Sequence, residues 1–165
     1  MKERINTMKK YEFTGETKQI NLLFRTATLH RIRAVVEFGL VKIGDLGGWI
    51  EKEENLSHDG KAWVCGDAKV WGNAKVCGDA EVFSASHVLV IGAIGSRNDF
   101  TTFFRDKDGE ITVKCGCFLG KIDRFLEKVA STHGNSKYAL VYRAAVEVAK
   151  LQIDLTGEAP EMDEE

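Results

Sequence analysis

Apolar and polar residues repeat every six positions through the middle of the chain. Residues 60–83 hold four consecutive units, each with Gly at the first position, Ala at the third and Val at the fifth. Because Ala and Val stand two positions apart, both lie on one face of an extended strand. Gly, with Asp or Asn beside it in most units, favours a tight corner. Strand and corner at a fixed short period predict a solenoid whose coils pack on one another.

Weaker copies of the unit extend this region. Residues 84–89 and 90–95 keep a small and a β-branched residue at the expected positions, and looser matches precede the repeat around 48–50 and 55–56. The repeat resembles that of hexapeptide-repeat proteins. This resemblance implies a short left-handed β-helix over residues 59–95, a triangular prism with three units per coil. A flat β-meander with a coincidental repeat is the alternative interpretation.

The residues before the repeat predict strands that cap the solenoid. Alternation of Tyr11 and Phe13 indicates a strand over 9–14, ended by a turn at Gly15, and a second strand is expected at 28–36. We interpret residues 1–58 as N-terminal strands and a capping segment, because the first coil would otherwise expose an unpaired edge of backbone groups.

The residues after the repeat predict a small α+β cap over 96–155. A hairpin turn with Gly and two stretches of helical apolar spacing carry this prediction. The expected elements are strands at 100–105 and 110–117 and helices at about 119–132 and 136–153. Residues 156–165 contain the only Pro and five acidic residues, so a disordered acidic tail is expected there. The predicted fold class is therefore mainly β with α, a short β-helix followed by this cap.

Composition narrows the class of protein. The chain has 165 residues, a formal net charge of −2, 44% apolar residues and 29% charged residues, which is typical of a globular protein. A near-neutral charge argues against general nucleic-acid binding. No run of 18 apolar residues predicts a membrane span, and the first residues do not resemble a signal peptide. A cytoplasmic protein is expected.

The cysteines do not predict a metal site or a disulfide framework. Cys65 and Cys77 occupy the same position of the unit two units apart, and Cys115 and Cys117 are separated by one glycine. Neither spacing matches a zinc ribbon, and the four histidines add no matching pattern. Buried, reduced thiols are expected, with no metal and no cofactor.

The last position of each unit predicts self-association. These residues follow the inward-facing Val and should therefore face outward, where a large apolar row needs a cover. The row consists of Cys65, Trp71, Cys77, Phe83 and Leu89. Either the helices of the same chain or another copy could cover it. Because proteins that resemble this fold commonly form trimers, we expect a homo-oligomer, with a trimer first.

Two places in the chain are candidate ligand contacts. His30, Arg31 and Arg33 form the only compact basic cluster, which is either a solvated strand face or an anion contact. Arg97, Asn98 and Asp99 join the solenoid to the cap, and pockets often lie where two regions meet. Arg105 is a further candidate contact.

No catalytic residue is predicted. Hexapeptide-repeat acyltransferases use a histidine base between coils, and His87, or His58 before the repeat, is the positional candidate for that chemistry. His133 is interpreted as the end of a helix. Cys115 and Cys117 are possible nucleophiles, but no His and Asp pair can be assigned to them from sequence.

Several motifs resemble short proteins of bacteriophage and prophage genomes. They are the segments 28–34, 44–51, 55–57, 115–118 and 132–134, together with the repeat, Gly120 and Phe125. The resemblance implies a small accessory protein in the host-cell cytoplasm. Its expected function is to bind and block a host factor or a small anionic ligand, such as a nucleotide signal, in counter-defence. An acyltransferase-like enzyme and a structural phage component are the alternatives.

Overall fold

The structure, a computed structural model, describes residues 8–157 and is mainly β with α, as predicted. Almost all of the expected acidic tail lies outside the described residues. The strands are β1 (Tyr11–Asn21), β2 (Thr26–Ala34), β3 (Leu46–Ile50), β4 (Trp63–Val64), β5 (Lys69–Val70), β6 (Glu81–Val82), β7 (Val88–Ile94), β8 (Asp99–Arg105), β9 (Ile111–Cys115) and β10 (Phe118–Lys121). The helices are α1 (Ile122–His133) and α2 (Lys137–Gln152).

The N-terminal hairpin is longer than the sequence predicted. Strands β1 and β2 pair antiparallel from Tyr11 opposite Ala34 to Asn21 opposite Thr26. The expected turn at Gly15 was wrong, because β1 continues through this residue with a register shift between Phe13 and Thr17. A glycine at positive φ can provide a bulge as well as a turn, and Gly15 has a φ of +91°.

The repeat units pair in parallel at three places. Trp49 pairs with Lys69 and Ile50 with Val70, twenty positions later. Leu56 pairs with Val76 at the same separation, whereas β4 and β6 pair eighteen positions apart. The glycines that begin the four strong units have φ between +61° and +72°, so each corner uses a conformation that side chains with a Cβ rarely adopt.

The alanines and valines of the repeat form one core, as the period predicted. They are at most 4% exposed: Ala62, Val64, Ala68, Val70, Ala74, Val76, Ala80 and Val82. Tyr11, Ile32 and Ile50 from the N-terminal strands complete this first core, and Phe104 of β8 joins it from the other side.

A second antiparallel sheet, in the order β10-β9-β8-β7, carries both helices on a second core. Residues 88–94 were expected to continue the repeat, but they pair antiparallel with β8 instead. This segment is a nearly continuous apolar run that one short turn separates from residues 99–105, so the local hairpin is the favoured pairing.

The two helices lie close to their predicted positions. Phe125 and Val129 of α1 and Tyr142 and Val146 of α2 are buried in the second core. Gly134 follows α1 at a φ of +57° and its amide donates to the Ala130 carbonyl at 3.0 Å, which terminates the helix. Within residues 8–157, neither helix has the length and apolar character needed to cross a membrane.

Candidate functional site

A cavity of about 200 Å³ lies where the turn after β7, the turn between β9 and β10, and the two helices meet. We call it the junction cavity. Polar and aromatic side chains from all four segments line it: Ser96, Arg97, Asp99, Cys115, Cys117, Phe118, Lys128, Thr132, His133 and Tyr142. Three of the phage-like segments named above, 115–118, Phe125 and 132–134, contribute residues to this one cavity.

Two glycines let the walls of the junction cavity approach each other. Gly95 lies against Tyr142, and a Cβ at this position would overlap the tyrosine hydroxyl. Gly116 occupies the β9–β10 turn at a φ of +57°, and an added Cβ would lie 3.0 Å from Nη1 of Arg97. The Arg97 guanidinium therefore lies over a turn that only glycine forms without strain.

Two buried donors lie at the junction cavity: Tyr142 lines it, and Thr101 contacts the lining residue Cys115. Burial, and then the neighbouring Cys115 thiol, raises the pKa of the Tyr142 hydroxyl, which therefore remains a donor at neutral pH. The Thr101 hydroxyl lies 3.4 Å from Cys115 Sγ, to which it donates. The His133 ring packs against Tyr142 with centroids 5.8 Å apart.

Two further cavities continue from the junction cavity. One of about 100 Å³ shares Asp99 and Gly116 with it and is also lined by Lys75 and Lys114. These two lysines line the next cavity as well, which measures about 740 Å³. Because neighbouring cavities share lining residues, we describe them as one groove that runs from the helices past β9 to the repeat. Its largest part is also lined by three acidic residues, Glu53, Glu54 and Asp59.

We call Lys75, Arg97, Lys114 and Lys128 the groove cations. Among residues 8–157, none of the four forms an ion pair with a carboxylate. Lys75 and Lys114 also act on a common neighbour: burial raises the pKa of the Cys77 thiol, and both ammonium groups oppose that shift. Asp99 is the carboxylate nearest the junction, and its Oδ1 accepts from the Phe100 amide at 2.7 Å.

The basic cluster of β2 lies outside the groove, and its side chains contact residues of β1. Arg33 Nη2 lies 2.6 Å from Glu12 Oε1, and Arg31 Nη1 lies 3.4 Å from Glu16 Oε2. The His30 ring stacks on Phe13 with centroids 4.4 Å apart. These cross-strand contacts favour the interpretation of the cluster as a charged face of the sheet.

The two remaining predicted ligand contacts, Asn98 and Arg105, lie in different surroundings. Asn98 is exposed in the turn after β7 at a φ of +47°. Arg105 is 8% exposed, and its two terminal nitrogens donate to the Thr156 and Gly157 carbonyls at 2.9 and 2.7 Å. Arg105 therefore holds the segment after α2 rather than facing the groove.

The outward row of the repeat is dispersed over several environments. Cys65 and Phe83 line a separate apolar cavity of about 420 Å³, whose other wall includes Phe38 and Trp63. Cys77 lies in the groove, and Leu89 packs against the second core. Trp71 is half-buried.

The histidines considered as bases are held by the fold. His87 is 2% exposed, its Nδ1 accepts from the Phe83 amide at 3.2 Å, and burial lowers its pKa. A substrate has no access to this ring. The Nδ1 of His58 accepts from the Lys10 amide at 3.0 Å, and the ring stacks on Tyr11.

Sequence reasoning located Arg97 and Asp99 but missed the other groove cations and Tyr142. Lys75 belongs to an outward polar position of the repeat, and Lys128 and Tyr142 belong to helical patterns, so each had an ordinary structural interpretation. The signal that could have found them is the pair of glycine turns, Gly95 and Gly116, on either side of the same hairpin.

Within the described part of the chain, no three His, Cys, Asp or Glu side chains lie close enough together to hold a metal ion. The four cysteines are free thiols. In sequence comparisons the chain matches no protein-family model and no curated protein.

Proposed function

We propose that this protein is a non-catalytic binding protein that holds a small anionic ligand, such as a nucleotide, in the groove. The observation that carries the proposal is that, in the described part of the chain, four cations without ion-pair partners line the junction cavity and the 100 Å³ cavity beside it, where Asp99 is the one acidic lining residue. Four like charges held near one another with a single counter-charge favour an anion between them.

The chemistry of the groove suits phosphate together with a flat ring. A guanidinium can donate two parallel hydrogen bonds to a phosphate, and the lysines add point charges. The protonated Tyr142 hydroxyl supplies a further donor, and His133 and Phe118 provide ring surfaces against which a base can pack. Two cations at the junction and two further along also suit a ligand with two separated phosphates.

The repeat supports a more specific architecture. We propose that the three parallel pairings are the sides of a short left-handed β-helix, because separations of eighteen and twenty residues correspond to about three six-residue units per coil. We also propose that the chain acts as a homo-oligomer. In keeping with the phage-like motifs, its proposed role is to sequester a signal in the host cytoplasm and so oppose host defence.

The binding proposal is tested by calorimetry with inorganic phosphate, a nucleoside monophosphate, ATP and a dinucleotide. We expect the nucleotides to bind, the Arg97→Ala and Lys128→Ala variants each to lose about tenfold in affinity, and the ligand to be recovered unchanged. Arg33→Ala is the matched control, because this arginine is already paired with Glu12. If none of the four compounds binds, or if Arg33→Ala weakens binding as much as Arg97→Ala does, the proposal is wrong.

A further inference from the structure

Helix α2 is apolar on two opposite faces. One face, which includes Ala139, Tyr142, Val146 and Ala149, is buried in the second core. The opposite face is exposed although it is also apolar, with Leu140 59% exposed, Val148 47% and Leu151 89%. A continuous apolar face left exposed on a helix usually marks an interaction surface.

The exposed residues form one continuous stripe. Leu140, Ala144, Val148 and Leu151 are spaced by four, four and three positions, which places them on one side of the helix. Leu155, just beyond the helix end, is 41% exposed. The small Ala144 side chain lies near the middle of the stripe, where it allows another helix to approach closely.

The charges beside the stripe favour a particular partner. Arg143 and Glu147 lie on the same flank, four positions apart, and in the described structure they do not pair with each other. Arg143 donates to the Gly134 carbonyl, and Glu147 makes an exposed contact of 3.5 Å with Lys150. Both side chains are therefore held only by weak surface contacts.

We propose that a second copy of this chain covers the stripe, with the two α2 helices antiparallel about a two-fold axis. Reversing one helix on the other places Leu140 of each copy opposite Leu151 of its partner. It also brings each Arg143 beside the Glu147 of the partner. A parallel arrangement would instead set Arg143 against Arg143, which repels.

One helix face is smaller than a standard interface, which buries about 800 Å² on each partner, so the dimer is expected to dissociate in the micromolar range. Sedimentation velocity at increasing concentration tests this. We expect the wild-type protein to associate and the Leu140→Glu/Leu151→Glu variant to weaken association by at least about tenfold. The matched control is Leu23→Glu/Phe24→Glu, two residues 88% and 94% exposed at the β1–β2 turn, which should associate like the wild type.

A charge exchange tests the antiparallel geometry. Arg143→Glu alone and Glu147→Arg alone should each weaken association, and the double variant should restore it. Circular dichroism checks that all variants keep their helices. A wild-type monomer at every concentration overturns the proposal, as does an assembly that the leucine variants leave intact, because the interface would then lie elsewhere. A stripe that proves to contact a host protein or lipid vesicles in place of a second copy also overturns it.

Discussion

Lys10 shows how one buried charge couples the N-terminal strands to the repeat. The residue is 2% exposed, and its ammonium group donates to the Ala62 carbonyl at 2.6 Å and lies 4.7 Å from the centre of the Phe38 ring. Burial lowers the pKa of Lys10 from 10.5 to about 8, against the opposing effect of Asp59. The folded protein therefore gives up this proton more readily than the unfolded chain does.

The pH dependence of stability should report this residue. Below pH 8 the buried charge carries its full cost, and most of that cost disappears as the pH rises from about 8 to 10. The free energy of unfolding of the wild type should therefore gain about 2 kcal/mol relative to Lys10→Met over this range. The measurement is urea unfolding of both proteins at several pH values. The comparison between variants is needed because burial also raises the pKa of Cys65 to about 11, which acts in the opposite direction.

Lys9→Met is the control for this experiment, because Lys9 is exposed and makes a surface ion pair with Glu53. It should follow the wild-type pH curve. Parallel curves for the wild type and Lys10→Met would mean that the Lys10 ammonium group is solvated in the folded protein.

At the scale of the elements, the repeat units are held together by side chains as well as by backbone pairing. Asn55 is fully buried and donates from Nδ2 to the Gly72 and Ala74 carbonyls at 3.1 and 2.9 Å. Its Oδ1 accepts from the Lys52 amide at 2.9 Å. One asparagine thus ties the segment before the strong repeat to the unit that begins at Gly72.

Asn55→Ala should lower the free energy of unfolding by about 2 kcal/mol, because it leaves buried backbone groups without partners. Chemical denaturation monitored by circular dichroism measures this. Asn73→Ala provides a matched control in the repeat, since Asn73 is exposed, and it should change stability by less than about 0.5 kcal/mol. Equal effects of the two substitutions would contradict the role given to Asn55.

Elements with a strong period could be predicted from the sequence, whereas long-range pairing could not. The buried alanines and valines follow from spacing alone, and so do the two helices with the stop at Gly134. The continuation of β1 through Gly15 depends on having β2 alongside it, and the antiparallel pairing of β7 depends on β8. For the groove, only the segment 97–99 had a local signal in the sequence. Lys75, Lys114 and Lys128 are far apart in the sequence, and only the folded chain brings them to the same groove.

On the scale of the whole molecule, strand β8 joins the two cores. Phe104 is buried in the first core and its neighbour Phe103 in the second, because successive side chains of a strand point to opposite faces. Arg105 extends the connection: its guanidinium lies 5.0 Å from the centre of the Phe83 ring and binds the carbonyls of residues 156 and 157.

Arg105→Met should release the segment after α2 without unfolding either core. Hydrogen exchange at residues 154–157 should become about tenfold faster, as expected for the loss of hydrogen bonds from a charged donor. Exchange in β8 and α2 should change little. Arg124→Met, on the exposed side of α1, is the control, and a uniform acceleration through the whole chain would show that Arg105 supports global stability instead.

The positions of the aromatic residues have an optical consequence. All three tryptophans, Trp49, Trp63 and Trp71, belong to the N-terminal strands and the repeat, and the sheet with the helices contains none. Indole emission therefore follows the melting of one half of the molecule, while the thiol at Cys115 can act as the chemical reporter of the other half. Because β8 is common to both halves, the two signals should change together.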